Sequence, residues 1–126
     1  MIADALRAAL VADAGVKAIT TRCYPVKQPQ KPTYPLILYM QVSGWREQTL
    51  TGPAGQGRPR FQVEAWAETY EGVQVLSEAI KTALDGKLLV GAGKSFRAMY
   101  LTAQDVYEPD VNVFYQPLDF SLWYDF

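Results

Sequence analysis

The sequence predicts an α+β fold: a mostly antiparallel sheet with a long β-hairpin and helices packed on one face. Three observations predict it. First, the stretch RPRFQVEAWAETYEGVQVLSEAIKTALD, Arg58 to Asp85, changes period midway. Phe61, Val63, Ala65 and Ala67 alternate with polar Arg60, Gln62 and Glu64, the period of a half-buried strand, with Trp66 standing on the polar face. Val73, Leu76, Ala79, Ile80, Ala83 and Leu84 then recur at spacings of three and four, which is one stripe of a helix. Such a helix must bury its stripe on a sheet. Second, strands and helices do not alternate strictly; the order reads helix, short strand, two hairpin strands, helix, two strands. Third, the strands Leu36–Glu47 and Arg58–Glu68 are joined without a helix, so they pair antiparallel.

From the N-terminus, Met1 to Ala12 reads as a helix with Ile2, Ala5, Leu6, Ala9 and Leu10 on its apolar side. Ala14 to Thr20 reads as a second short helix or a turn, anchored by Val16 and Ile19. Arg22 to Val26 is extended, and Gln28 to Pro32 is a polar, proline-rich connection. Pro35 opens the strand LILYMQVSGWRE. Its continuous apolar start, Leu36 to Met40, is expected where both faces of a strand are covered, and Gly44 is a candidate bulge or bend. Thr49 to Gly57, TLTGPAGQG, reads as a loop longer than a tight turn needs. It is either a plain surface connection or an arm that reaches a neighbour. Cutting out Thr51 to Gly57 is then expected to spare folding and impair assembly.

Thr69 suits the N-cap of the central helix, because its hydroxyl accepts from a first-turn amide. Gly86 suits a left-handed closing position. Gly86 to Gly93 reads as a turn with a small apolar insert. Phe96 to Ala103 is a strand with Phe96, Ala98, Tyr100 and Thr102 on one face, and Gln104 to Asn112 reads as a loop. The last strand, Val113 to Phe126, alternates Leu118, Phe120, Leu122, Tyr124 and Phe126 with Asp119, Ser121, Trp123 and Asp125. Pro117 lacks an amide proton, so it marks an edge or a bulge. An apolar final strand reaching Phe126 is expected to pair with another chain.

At 126 residues the chain is sized for one domain, spanning residues 1–126. Twelve basic and thirteen acidic residues are interspersed, so tight nucleic-acid binding is not expected. No apolar run approaches the ~18 residues of a membrane span, and no charged leader with an apolar core opens the sequence. A single Cys23 cannot form an intramolecular disulfide, which fits a reducing compartment.

Histidine is absent, so no Ser-His-Asp or Cys-His nucleophile system can be built, and one cysteine plus carboxylates makes a poor zinc site. No catalytic residue, cofactor site or metal site is assigned, and the chain reads as a non-enzyme. Gly91-Ala92-Gly93-Lys94-Ser95 resembles half of a phosphate loop, but position 88 is Leu and a strand follows. Glu64, Glu68, Asp105, Glu108 and Asp110 read as solvated acids, since no spacing pairs them. Cys23 reads as a structural thiol, having no visible base partner.

The aromatic residues are more informative: three Trp, eight Tyr and five Phe. Trp45, Trp66 and Trp123 stand on strands or strand ends, and the last two fall on faces their neighbours mark as exposed. Either they form a contact surface, where aromatic anchors are enriched, or helices cover that face and they are core.

In its block order the chain resembles the tail-completion (tail-terminator, head–tail joining) proteins of long-tailed bacteriophages, prophages and gene transfer agents. ALRAALVADAGVKAI leading into RCYPVKQPQ is similar to the family's helix, strand and proline linker. PLILYMQVSG resembles its next strand. LTGPAGQGRPRFQVEAWAETYEGVQVLSEAIKTALDG resembles its most characteristic block, and the aromatic-rich C-terminal strand completes the set. The resemblance implies a subunit of a ring, usually a hexamer, at the head-proximal end of a tail in the virion, assembled in the host cytoplasm. The ring would end tail-tube polymerisation and join tail to head connector. It implies the tail tube protein and a connector or stopper protein as partners, with DNA passing through the lumen without tight binding and no membrane contact. Thr51, Gly52, Pro53, Arg58 and Arg60 then fall on the hairpin at subunit or tube contacts, beside Trp45, Trp66, Trp123 and Phe126 as interface candidates. A small ligand-binding domain or enzyme with an aromatic pocket, or a neighbouring connector ring, is the alternative reading.

Overall fold

The computed structural model describes residues 2–43, 46–49, 52–57, 59–91 and 94–125. Three helices, α1 (Ile2–Ala12), α2 (Ala14–Lys17) and α3 (Tyr70–Leu84), accompany nine strands among the described residues. The strands are β1 (Cys23–Pro25), β2 (Leu36–Ser43), β3 (Arg46–Thr49), β4 (Gly52–Gly57), β5 (Arg60–Ala67), β6 (Leu88–Gly91), β7 (Lys94–Ala103), β8 (Val106–Glu108) and β9 (Val113–Asp125). Strand order along the main path is β1-β2-β5-β9-β4-β3, with β7 and β8 on the other side of β9 and β6 beyond β7. Only β1–β2 is parallel among these pairings, so the sheet is mixed and mostly antiparallel. No helix among the described residues is long and apolar enough to cross a membrane.

The two periodicities fold as read. Phe61, Val63, Ala65 and Ala67 are buried on β5. Paired with them across β9 are Phe120, Leu118, Gln116 and Phe114. Leu76, Ile80, Ala83 and Leu84 of α3, with Leu6 and Leu10 of α1, join that face in one core, and Val73 is also buried. The Thr69 hydroxyl accepts from the Gly72 amide at 3.0 Å, closing the N-cap. Gly86 does adopt a left-handed φ of 70°, although its amide donates to Ala98 O of β7 rather than to the helix. The adjacent Asp85 carboxylate takes the Tyr100 amide at 2.9 Å, so the end of α3 occupies hydrogen-bonding positions on the outer edge of β7. Gly91 is where α1 meets β6: a Cβ there would lie 2.2 Å from Ala5 O. Only glycine permits that approach.

Five expectations are corrected. Gly52–Gly57 is not loop but strand β4, which pairs with β3 and, at Gln56 and Gly57, with Asp125 and Tyr124 of β9. The pairing of β2 with β5 therefore continues into a second hairpin, and removing 51–57 would take out a paired strand. Leu88–Gly91 is a strand in a hairpin with β7, and Val106–Glu108 is a short strand on β9. Pro117 lies at neither an edge nor a bulge of β9. It sits opposite Gln104, whose amide donates to Pro117 O, between the end of β7 and the start of β8. N–H and C=O of one residue point to the same side of an antiparallel strand, so the missing donor falls in the gap between two neighbours. From Phe114 to Ser121 β9 is also flanked on both sides by strands of its own chain, so that length offers no open edge to a second chain. Gly44 lies outside the described residues; the register shift of β2 falls between Gln41 and Ser43.

Candidate functional site

The helices cover one face of the sheet. The opposite face is built from cross-strand rows whose members are set by register. The first row is Leu36–Trp66–Tyr115–Val106, and the second is Tyr24–Leu38–Glu64–Pro117. The third is Met40–Gln62–Asp119–Thr102. Further along, Arg60 lies opposite Ser121 and Ser121 opposite Met99, and the last row is Leu88–Arg97–Trp123.

The first two rows form an aromatic and acidic centre. Trp66 and Tyr115 stack with ring centroids 4.1 Å apart and planes 8° off parallel. The Trp66 indole Nε1 donates to Glu64 Oε1 at 3.0 Å. Glu64 is only 8% exposed although it belongs to the outward-pointing set. Burial pushes its carboxyl above the ordinary range, against the opposing pull of the indole hydrogen bond. The same burial, together with the charges of Glu64 and Glu108, raises Tyr115. Leu36 and Leu38, beside this centre, are buried as the continuous apolar run predicts.

The third row is polar. The Arg60 guanidinium donates to Asp119 Oδ2, and Gln62 Nε2 donates to Asp119 Oδ1 at 3.3 Å. Trp123 lies further along, 43% exposed, with its indole donating to Ser121 Oγ at 3.1 Å. On the helix side, Asp105 collects donors from Tyr70 Oη (2.9 Å), Gln116 Nε2 (2.7 Å) and Gln74 Nε2 (3.5 Å), tying the β7–β8 link to α3.

Of the residues singled out in the sequence, Trp66 and Trp123 share the helix-free face, so helices do not cover them. Arg60 stands on the same face. Gly52 and Pro53 open β4, paired with Thr49 and Gln48 at the distal end of the β3–β4 hairpin. Trp45, Thr51, Arg58 and Phe126 lie outside the described residues. The acids are not gathered into one pair: Glu64 and Glu108 flank Tyr115, while Asp105 faces α3. Cys23 is buried, and its thiol is pushed up to about 12, so it is protonated and inert near neutrality. Gly91 and Lys94 pair at the end of the β6–β7 hairpin, and a strand follows them, not a helix. Sequence reasoning missed Glu64, whose burial comes from cross-strand neighbours, and the exposed Leu88 and Val90, read as a turn.

A family model described as "Tail completion protein gp17" matches residues 4–125. The chain belongs to that family. Membership makes it a tail completion protein, a structural component of a phage-like virion, in a family whose role is structural rather than enzymatic. A solved chain from the "Virion of native gene transfer agent (GTA) particle" superimposes with a TM-score of 0.79 at 17% identity, over 97% of this chain and 92% of that one. A second solved chain aligns over 96% of this chain and 94% of its own at 13% identity, with a TM-score of 0.65. No curated protein sequence matches. The structural likenesses carry the α+β fold; the family match carries the assignment to the tail.

Proposed function

We propose that this tail completion protein closes into a ring, six copies in the family's usual arrangement, at the head-proximal end of the tail. There it stops tube polymerisation and presents a surface to the head connector or stopper. The observation that carries the reading is the sheet face without helix cover, bearing Trp66, Tyr115, Met99 and Trp123. Trp66 and Tyr115 stack on each other, a poor start for the aromatic ligand pocket of the alternative reading. A ring needs heterologous contacts that close by rotation, and an exposed face together with a hairpin arm supplies them. Gly52, Pro53 and Arg60, with Thr51 and Arg58, are assigned to the arm's contacts with neighbour or tube, and Trp45 and Phe126 to the same surfaces. Balanced charge suits a lumen through which DNA slides, since a strongly basic wall would hold phosphates.

The test is to assemble particles without the protein. Overlong or unjoined tails are expected, and intact protein is expected to restore normal length and joining. Full heads that leak DNA, with tails of normal length, would instead place it as a connector stopper. Native mass spectrometry of the protein, alone and bound to tube ends, is expected to give a sixfold mass.

A further inference from the structure

The end of the helix-free face at β6 and β7 differs from the rest. Leu88 is 61% exposed, Val90 68%, Met99 50% and Trp123 43%. Leu88, Arg97 and Trp123 are consecutive partners across three strands, so these side chains are neighbours rather than scattered. A depression of about 220 Å³ opens between Gly86, Arg97, Met99 and Trp123. Exposed apolar residues gathered in one place mark a binding surface, whereas single ones do not. Exposed Arg97 and Lys87 outnumber the one exposed carboxylate beside it, Asp85, so its balance is positive.

At the other end of β9 the composition inverts. Tyr107 of β8 is 46% exposed and Val111 of the β8–β9 connection 56%, beside Glu108 of β8 and the exposed Asp110. The Tyr107 hydroxyl donates to Asn112 Oδ1, fixing this corner. Val113 and Trp123 are about 33 Å apart at ~3.3 Å per residue. One strand thus separates a basic apolar patch from an acidic apolar corner.

We infer that the Leu88–Arg97–Trp123 patch docks on the Tyr107–Val111 corner of a second copy, head to tail. This rests on the ring reading above and names its contact. A twofold pairing of the patch with itself would set Arg97 against Arg97, which opposes association; the head-to-tail pairing matches opposite charges. It also leaves one free patch and one free corner on every pair of copies, as a contact that propagates around a ring requires.

Two measurements test it. Arg97→Glu is expected to dissociate the oligomer at least tenfold more readily by analytical ultracentrifugation. Asp110→Arg is expected to do the same, and an equal mixture of the two variants is expected to reassociate in alternation, since every contact then again joins opposite charges. In the second measurement, a Leu88→Cys chain and a Val111→Cys chain are mixed with a short bis-maleimide. Cross-linked dimers are expected in the mixture and not from either chain alone; Cys23 is buried and does not compete. Sixfold rings that persist in both charge variants and give no mixed cross-link would overturn this contact while leaving the ring reading intact. A wild-type protein that stays monomeric both alone and at tube ends would overturn the ring reading, and this contact with it.

Discussion

The two faces of one sheet follow different rules here. On the helix side, β5 and β9 present Phe61, Val63, Leu118, Phe120 and Leu122 to α1 and α3, and nearly all are excluded from solvent. On the other side the same strands present an aromatic stack on a buried acid, then an ion pair, then exposed Met99 and Trp123. The first face is explained by burial of apolar area within the chain. The second holds too much exposed apolar surface at one end and too much buried polarity at the other for that explanation. A sheet face of this kind is shaped by what it will meet as well as by its own folding.

Substitutions on the two faces sharpen this contrast. The largest effect is expected at Phe120, fully buried on the helix side. Phe120→Ala should cost about 3–5 kcal/mol in denaturant unfolding. Trp123→Ala, three residues on and on the other face, should cost under about 1 kcal/mol. Similar losses at both sites would erase the distinction. Next comes Gly91→Ala, which forces α1 off β6 because of the approach to Ala5 O. A loss of about 1–3 kcal/mol in thermal unfolding is expected, the usual scale of overpacking.

Glu64→Gln tests the buried acid. A carboxyl raised in the folded state stabilises the protein below its ordinary value of 4.5, and that stability is lost as pH rises through the folded value. Wild-type stability is therefore expected to decline above pH 4.5 by more than it does in the Gln variant, whose amide oxygen still accepts from the Trp66 indole. Parallel curves of unfolding free energy against pH would remove Glu64 as the source. The smallest effect is expected at Arg60, whose side chain is 47% exposed. Arg60→Ala should change stability by less than about 1 kcal/mol. A larger loss would mean that the Asp119 contact supports the sheet itself.

Long periodic segments were legible in the sequence. α1, α3, β2, β5 and most of β9 carry enough repeats for their apolar faces to be read from spacing alone. β4, β6 and β8 were not, because GPAGQG, LLVG and VYE are too short or too glycine-rich to show a period. Neighbouring strands make them strands. Pro117 misled for the same reason: its tolerance depends on a gap between β7 and β8 that no local pattern announces. On the candidate site, alternation put Trp66 and Trp123 on the correct face, but it also made Glu64 look solvated. Its burial among Leu38, Pro117 and Trp66 is a property of three strands.

Pro117 also fixes where β9 can lie. Sliding β9 by two residues in either direction would preserve every inward-facing side chain's orientation, so the apolar pattern alone gives only weak protection against that error. Such a slide would bring the ring nitrogen opposite a ladder position of β7 or β8 that awaits a proton. The proline thus acts as a stop on a sliding scale, making the longest strand of the molecule settle at one notch, and with it the spacing between the two ends that β9 holds apart.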